Sequence, residues 1–152
     1  MTEIRSARAT DAEEMAEVQN AIYRAGLRAS PADVTLVRQR YLDLEYRVAC
    51  TVAEQEGQVV GFQSLKRAWP GNQYDVDEGW GIIGTHIHPE AGRSGLGRRL
   101  FTTSLEAAET AGLRHIDASI AVDNAPALAY YSALGFRPYQ QGNGTIQHRF
   151  DL

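Results

Sequence analysis

Apolar residues recur along this chain with two periods, one of about two residues and one of about three and a half, and each stretch predicts a strand or a helix. Ile4 to Ala9 reads as a short first strand. Met15, Val18 and Ile22 follow at helical spacing, and Thr10-Asp11-Ala12-Glu13 before them has the form of a capping box, which predicts a helix starting at Thr10. Val34, Val37, Tyr41 and Leu44 form a second apolar stripe. Ahead of it, Ser30 suits the N-cap, Pro31 the first helical position and Asp33 the positive end of the helix dipole. Arg47 to Glu54 and Val59 to Lys66 read as two strands, with Glu56-Gly57 as a hairpin-type turn between them. Pro70, Gly71, Asn72, Asp75 and Asp77 mark Arg67 to Gly79 as a loop. Trp80 to His88 is apolar enough for a central strand, and a glycine-rich turn then opens a long helix, about Gly95 to Ala111, stopped by Gly112. Leu96, Leu100, Leu105 and Ala108 give that helix its buried stripe. Ile116, Ala118, Ile120 and Val122 alternate as a strand, Pro126 to Leu134 is a short helix ended by Gly135, and Phe136 to Gln140 and Thr145 to Phe150 form a last strand pair joined through Gly142 and Gly144.

The order β-α-α-β-β-β-α-β-α-β-β has no internal repeat and no low-complexity tract. It predicts an α/β (α+β) fold with a mixed, mostly antiparallel central sheet of about seven strands and four helices. The unit between Trp80 and Val122 is expected to be parallel with a right-handed crossover. At 152 residues, the chain is the size of one domain, residues 1–152.

Composition narrows the function. Apolar residues at 43% and charged residues at 22% suit a globular chain, and the formal net charge of −4 argues against nucleic acid as a partner. No run approaches the ~18 apolar residues of a membrane span, so no membrane partner is expected. The single cysteine, Cys50, lies in a strand-like run and reads as a small buried hydrophobe, since one thiol makes neither an internal disulfide nor a cysteine zinc site. With no signal-like leader visible, a cytoplasmic location is expected.

The most informative stretch is Ile87-His88-Pro89-Glu90-Ala91-Gly92-Arg93-Ser94-Gly95-Leu96-Gly97-Arg98-Arg99-Leu100. A strand ends, a glycine-rich loop turns and a helix begins. Such a turn offers unpaired backbone amides and a positive dipole end to an anion. Gly95 and Gly97 allow close approach of the backbone to a diphosphate, and Arg93, Arg98 and Arg99 add charge. Gly92 and Gly97 have the spacing of a nucleoside-triphosphate loop, but Arg98-Arg99 stands where Lys-Ser/Thr is needed, so the magnesium-binding hydroxyl is missing. A dinucleotide fingerprint is also incomplete, because Leu100 occupies the place of the third glycine.

This loop resembles motif A of the GNAT superfamily of N-acetyltransferases, Q/R-x-x-G-x-G/A before a helix. Asn124-Ala125-Pro126-Ala127-Leu128-Ala129-Tyr130-Tyr131-Ser132-Ala133-Leu134-Gly135-Phe136 resembles the family's N-x-x-A-x-x-x-Y-x-x-x-G-F. The element order follows the family's from end to end, and the resemblance is sharpest from Ile82 to Phe136. One departure stands out: Gly92 occupies the first position of motif A, with Arg93 one place later.

The resemblance implies an acyl-CoA N-acyltransferase-like fold and acetyl-CoA, or coenzyme A, as co-substrate. The implied binding residues are Ile87, His88, Gly92, Arg93, Ser94, Gly95, Leu96, Gly97, Arg98 and Asn124. The strand from Thr85 to His88 would pair with the pantetheine arm, and the amide near Ile87 would face the thioester carbonyl. Asn124 would contact that arm, and it equally suits the N-cap of the helix after it. Tyr131 falls where the family's tyrosine protonates the departing thiolate, although Ala127, Leu128, Tyr131 and Leu134 also share a helical face that could be core. Many relatives carry a glutamate near the start of the strand ending at Ile87, where this chain has Gly81 and Ile82. His86 is the nearer candidate base, with an ordinary imidazole pKa suited to proton transfer. It reads equally as a sheet histidine facing a helix. His86 and His88 lack a third ligand, so no metal is expected.

The aromatic and acidic loop from Trp69 to Glu78, with Tyr23 and Tyr41, suits a cationic amine acceptor, small molecule or peptide. The resemblance also implies a homodimer, and the last two strands offer an edge for it. Two function classes remain open: an acetyl-CoA-dependent N-acetyltransferase, and a catalytically silent acyl-CoA-binding sensor. The missing glutamate favours the second and Tyr131 the first.

Overall fold

The computed structural model of the protein describes residues 1–92 and 94–152, so Arg93 lies outside the described residues. Seven strands form one sheet: β1 (Thr2–Ser6), β2 (Arg47–Gln55), β3 (Gln58–Arg67), β4 (Gly81–Ile87), β5 (His115–Ala121), β6 (Arg137–Gly142) and β7 (Thr145–Asp151). Their spatial order is β1-β2-β3-β4-β5-β7-β6. Four helices complete the fold: α1 (Ala12–Arg24), α2 (Val34–Val37), continued by a π-helical turn at Arg38–Leu42, α3 (Leu96–Thr110) and α4 (Ala125–Leu134). Every strand pair is antiparallel except β4–β5, which α3 connects as the expected crossover.

Two tight hairpins hold the register. Glu56 and Gly57 have φ of 52° and 80°, and Asn143 and Gly144 have 53° and 77°. Two consecutive left-handed residues make the turn whose twist matches its flanking strands. The alternation read from the sequence then gives the sheet two apolar faces. Cys50, Val52 and Phe62 pack against Met15 and Val18 of α1 and against Val37 and Tyr41. On the other face Leu65, Ile83, Ile116, Ala118 and Ile120 pack against Phe101 and Ala108 of α3 and Tyr131 of α4. Cys50 is buried and free, and its thiol pKa is pushed up to about 12 by desolvation.

Two helix starts differ from the sequence expectation. A 3₁₀ turn, Ala9–Asp11, precedes α1, so Thr10 does not cap it. Asp11 supplies the fixed oxygen instead, accepting from the Arg8 amide at 2.7 Å and from Arg5 at 2.8 and 2.9 Å. Buried beside the Arg5 guanidinium, that carboxyl is held below its usual range. At α2 the cap is Asp33, whose Oδ1 accepts from the Leu36 amide at 2.8 Å, so Ser30 and Pro31 lie before the helix. In both places a carboxylate, charged and so the stronger acceptor, takes the backbone amide.

Candidate active site

The sheet opens at its centre. β4 and β5 pair only at Gly81–Ile116 and Ile82–Asp117, and beyond Ile82 they part. The His88 amide donates to the Val60 carbonyl of β3 at 2.8 Å. Backbone groups alternate sides along a strand, and the β3–β4 register runs from Gly61–Ile87 to Arg67–Gly81 without a bulge. The amides and carbonyls of Thr85 and Ile87 therefore point away from β3, into the gap. A Cβ at Gly81 would stand 3.0 to 3.2 Å from the side chains of Leu113, Leu65 and Ile116, so a larger residue would press on close-packed neighbours.

A buried polar chain spans the opening. Thr85 Oγ1 lies 2.8 Å from Tyr131 Oη. Gln63, fully buried on β3, donates from Nε2 to Thr85 Oγ1 at 2.9 Å and to Tyr130 Oη at 3.0 Å. Tyr130 in turn donates to the Gly97 carbonyl at 2.7 Å. Burial raises both phenol pKa values, with Tyr131 far above the ordinary phenol range. Tyr131 thus keeps its proton at neutral pH while standing beside the gap.

At the far end of the gap lies the start of α3. Gly95, at φ 78°, precedes the helix without a side-chain cap. The first helical bond is from the Arg99 amide to the Gly95 carbonyl at 3.2 Å, and the amides of Leu96 and Arg98 have no backbone partner among the described residues. A concavity of about 220 Å³ sits there, lined by Ile87, Gly92, Gly95, Gly97, Arg98 and Tyr130 among others. Gly97 serves this wall in a way the sequence does not reveal: a Cβ would come within 2.5 Å of the Tyr130 ring. Ser94 donates from Oγ to the Ala91 carbonyl at 2.7 Å and so braces the turn. Arg98 is exposed beside the cavity, whereas Arg99 reaches away to the Thr2 carbonyl at 3.2 Å.

The remaining expected residues divide. Asn124 caps α4, its Oδ1 accepting from the Ala127 amide at 3.2 Å. His88 is engaged within the chain through its amide, its carbonyl and its Nδ1, which accepts from the Glu90 amide at 3.2 Å. His86 lies on the α1 face, opposite Phe62 in register. Its ring centroid is 4.7 Å from that of Phe62 and 5.7 Å from that of Tyr41. Desolvation, with Arg28 and Lys66 nearby, lowers its pKa to about 3. The expectation of His86 as general base gains no support from this setting, because a ring with lowered proton affinity is a poor base at neutral pH. Among the described residues no group of three or more His, Cys, Asp or Glu side chains comes together as a metal site, and no helix is long and apolar enough to cross a membrane.

The aromatic and acidic residues expected to meet a cationic amine do not converge. Tyr23 is exposed, as are Asp77 and Glu78, and Asp75 accepts from Gln140 at 3.3 Å. Tyr41 and Tyr74 instead flank a lysine. Lys66 is 6% exposed, with its Nζ 5.2 Å from the Tyr41 ring centroid and 5.5 Å from that of Tyr74. Burial lowers its pKa to about 8, and Arg40 adds to the effect. Gln63 and Lys66 were legible only faintly in the sequence, as polar residues inside an apolar strand. Lys66 is in phase with Phe62, the signal that marks it as inward-facing.

A mixed sheet split between its parallel strands, with a glycine turn and helix N-terminus at one end of the split, defines the acyl-CoA N-acyltransferase-like class. Residues 12–136 match the acetyltransferase (GNAT) family, and the chain belongs to that family. Mycothiol acetyltransferase of Amycolatopsis mediterranei is 34% identical over 91 residues, 59% of this chain and 30% of that protein, so the match spans about a third of the relative's length. Among solved structures, PaiA N-acetyltransferase of Thermoplasma acidophilum, in complex with coenzyme A, superposes with a TM-score of 0.79 at 16% identity, covering 100% of this chain and 99% of that one. YncA of Salmonella typhimurium, solved with its cofactor acetyl-CoA, gives a TM-score of 0.75 at 22% identity, covering 99% and 94%. A GCN5-related N-acetyltransferase of Kribbella flavida gives 0.81 at 20% identity, covering 99% and 98%. These likenesses establish the fold.

Proposed function

We propose that the chain is an acetyl-CoA-dependent N-acetyltransferase that moves an acetyl group to a primary amine by direct attack, with both substrates bound together. The observation that carries this reading is the gap itself: backbone groups of Thr85 and Ile87 line one side, Tyr131 stands at its edge, and the uncapped α3 N-terminus closes its far end. The residues fit coenzyme A. The amides of Leu96 and Arg98, with the positive end of α3, suit a diphosphate, and Gly92, Ser94, Gly95 and Gly97 form the wall around it. Arg98 is placed to add charge, and Arg93 of the same loop is assigned to this role from sequence. The amides of Thr85 and Ile87, with the peptide groups toward His88, suit the amides of a pantetheine arm, and Asn124 Nδ2 is left available beside the cap made by its Oδ1.

Bound there, acetyl-CoA supplies an activated thioester. The chain's own residues then do three things. The Ile87 or Thr85 amide polarises the carbonyl from the β4 side. Tyr131, which holds its proton, donates it to the departing sulfur. The Lys66 cation disfavours a second ammonium beside it and so favours the neutral amine needed for attack. No carboxylate base is assigned. The same reading places the enzyme in the cytoplasm, which its single free thiol suits.

Thiol release from acetyl-CoA across a panel of amines, together with calorimetric binding of coenzyme A, tests this. Binding and turnover are expected. Binding without turnover of any amine would favour the silent sensor, and no binding would end the reading altogether.

A further inference from the structure

The charge distribution around the acceptor face runs opposite to that of the chain as a whole. The formal net charge is −4, yet a buried cation stands in the ring cluster of Tyr41, Tyr74 and His86. Lys66 Nζ lies over two of the rings, those of Tyr41 and Tyr74. It has no carboxylate partner among the described residues. The buried carboxylate on the same face, Asp117, one strand beyond Ile82, is occupied by its own donors: Tyr139 donates to it at 2.6 Å, Gln147 at 3.2 Å and Ser119 at 3.3 Å.

A lysine buried without a counter-ion is costly, and two aromatic faces offset only part of the lost hydration. Such a group is retained where something brings an opposite charge to it. Its position says what. Lys66 pairs with Ile82, the last β4 residue paired to β5, and shares the sheet face of Gly84 and His86. Gly84 has no side chain over that face, and a Cβ there would meet only His86 Nε2, at 3.5 Å. An anion at Lys66 would leave the rest of a small molecule pointing along β4 toward the opening beside Thr85.

We infer that the amine acceptor carries an oxyanion, a carboxylate or a phosphonate, received by the Lys66 ammonium between Tyr41 and Tyr74. The acceptor class is thus an amino acid or its phosphonate analogue rather than a polyamine. This rests on the acetyl-transfer reading above and narrows it. No group other than the acetyl is transferred: the amine nitrogen forms the C–N bond, the C–S bond breaks, the proton lost by the nitrogen makes good the one that Tyr131 gives the sulfur, and the oxyanion is bound unchanged.

The test compares matched primary amines with the purified protein: α-amino acids, their C-terminal amides, aminoalkylphosphonates and spermidine. Thiol release is read with wild type and with Lys66→Met, and coenzyme A affinity is read by calorimetry in both. Wild type is expected to prefer at least one oxyanion series over its matched amides by about ten-fold or more in kcat/KM, the scale of a charge-assisted contact. Lys66→Met is expected to lose that preference through KM while binding coenzyme A as wild type does. The carboxylate and phosphonate arms identify which oxyanion is used. Equal or better turnover of amides or spermidine by wild type overturns the inference, as does a preference that survives Lys66→Met. A panel silent with wild type while coenzyme A still binds also overturns it and leaves the cofactor site standing, whereas absence of coenzyme A binding sinks the underlying function. If Lys66→Met does not fold, the wild-type ratio of acid to amide decides alone.

Discussion

Tyr131 Oη and Thr85 Oγ1 stand 2.8 Å apart across the opening between the two halves of the sheet. Thr85 belongs to β4 and Tyr131 to the helix that follows β5, so one hydrogen bond ties together elements whose strands have already separated. Gln63 donates to the same threonine, which fixes the donor directions around the phenol. The tyrosine is therefore both packed and positioned, and the two roles separate by experiment.

In Tyr131→Phe the ring stays and only the hydroxyl is lost. Turnover is expected to fall by about 10²- to 10⁴-fold, the usual worth of a general acid. Coenzyme A affinity should hold, and stability should drop by only about 1 kcal/mol, because Thr85 keeps its bond from Gln63. Steady-state kinetics with calorimetry check this. Undiminished turnover, or an equal loss in Tyr130→Phe, would remove Tyr131 from the role.

Gly97 and Tyr130 should be coupled. A methyl at position 97 would press on the Tyr130 ring, so Gly97→Ala is expected to destabilise the protein by roughly 1–3 kcal/mol, as overpacking does. In a Tyr130→Ala background the obstacle is gone, and the same change should be neutral or stabilising, since alanine is the better helix former. Urea denaturation of the four proteins gives the coupling. Additive effects would mean that the ring yields freely.

Acid should act through His86. Its folded pKa is about 3 against an ordinary 6.5, so below 6.5 the unfolded chain takes up a proton that the folded chain refuses. Stability should fall as pH drops from 6.5 toward 5, by up to about 1.4 kcal/mol per pH unit from this group. His86→Phe, which suits the neighbouring rings, should flatten that slope. A slope unchanged in the variant would assign the acid sensitivity to other groups.

Lys66 is expected to weaken the fold it sits in. With a pKa of about 8 in the fold and 10.5 ordinarily, it sheds its proton in the native protein first, so stability should rise as pH climbs above 8. At pH 7, Lys66→Met should be more stable than wild type by about 1–3 kcal/mol, and the difference should shrink by pH 9. Denaturation at the two pH values decides. A variant less stable than wild type at pH 7 would show that the aromatic faces fully compensate the charge.

The β6 edge is exposed along its length, with Tyr139 half out of the sheet, which suits pairing with a second copy. Light scattering at micromolar concentration is expected to give twice the 16.8 kDa chain mass. A mass near a single chain would reject the dimer.

The sequence by itself determined the element order, the hairpins, the α3 start and the family. These depend on local rules: Glu56-Gly57 and Asn143-Gly144 take left-handed turns, Gly95 opens a helix, and Ile116, Ala118 and Ile120 alternate because one face is buried. Tyr131 was legible for the same reason, through fixed spacing to Asn124 and Gly135. Only the tertiary structure decided which polar groups meet. α1 starts without a side-chain cap, and Asp11 turns its carboxylate back to Arg5, on another element, and to the Arg8 amide. His86 has its proton affinity lowered by a half-buried place beside the Phe62 and Tyr41 rings. Gln63 joined the site, and Lys66 was left without a counter-ion, through neighbours on other elements. Charge and proton affinity are set by what surrounds a side chain across the sheet, and a linear sequence does not specify those long-range distances.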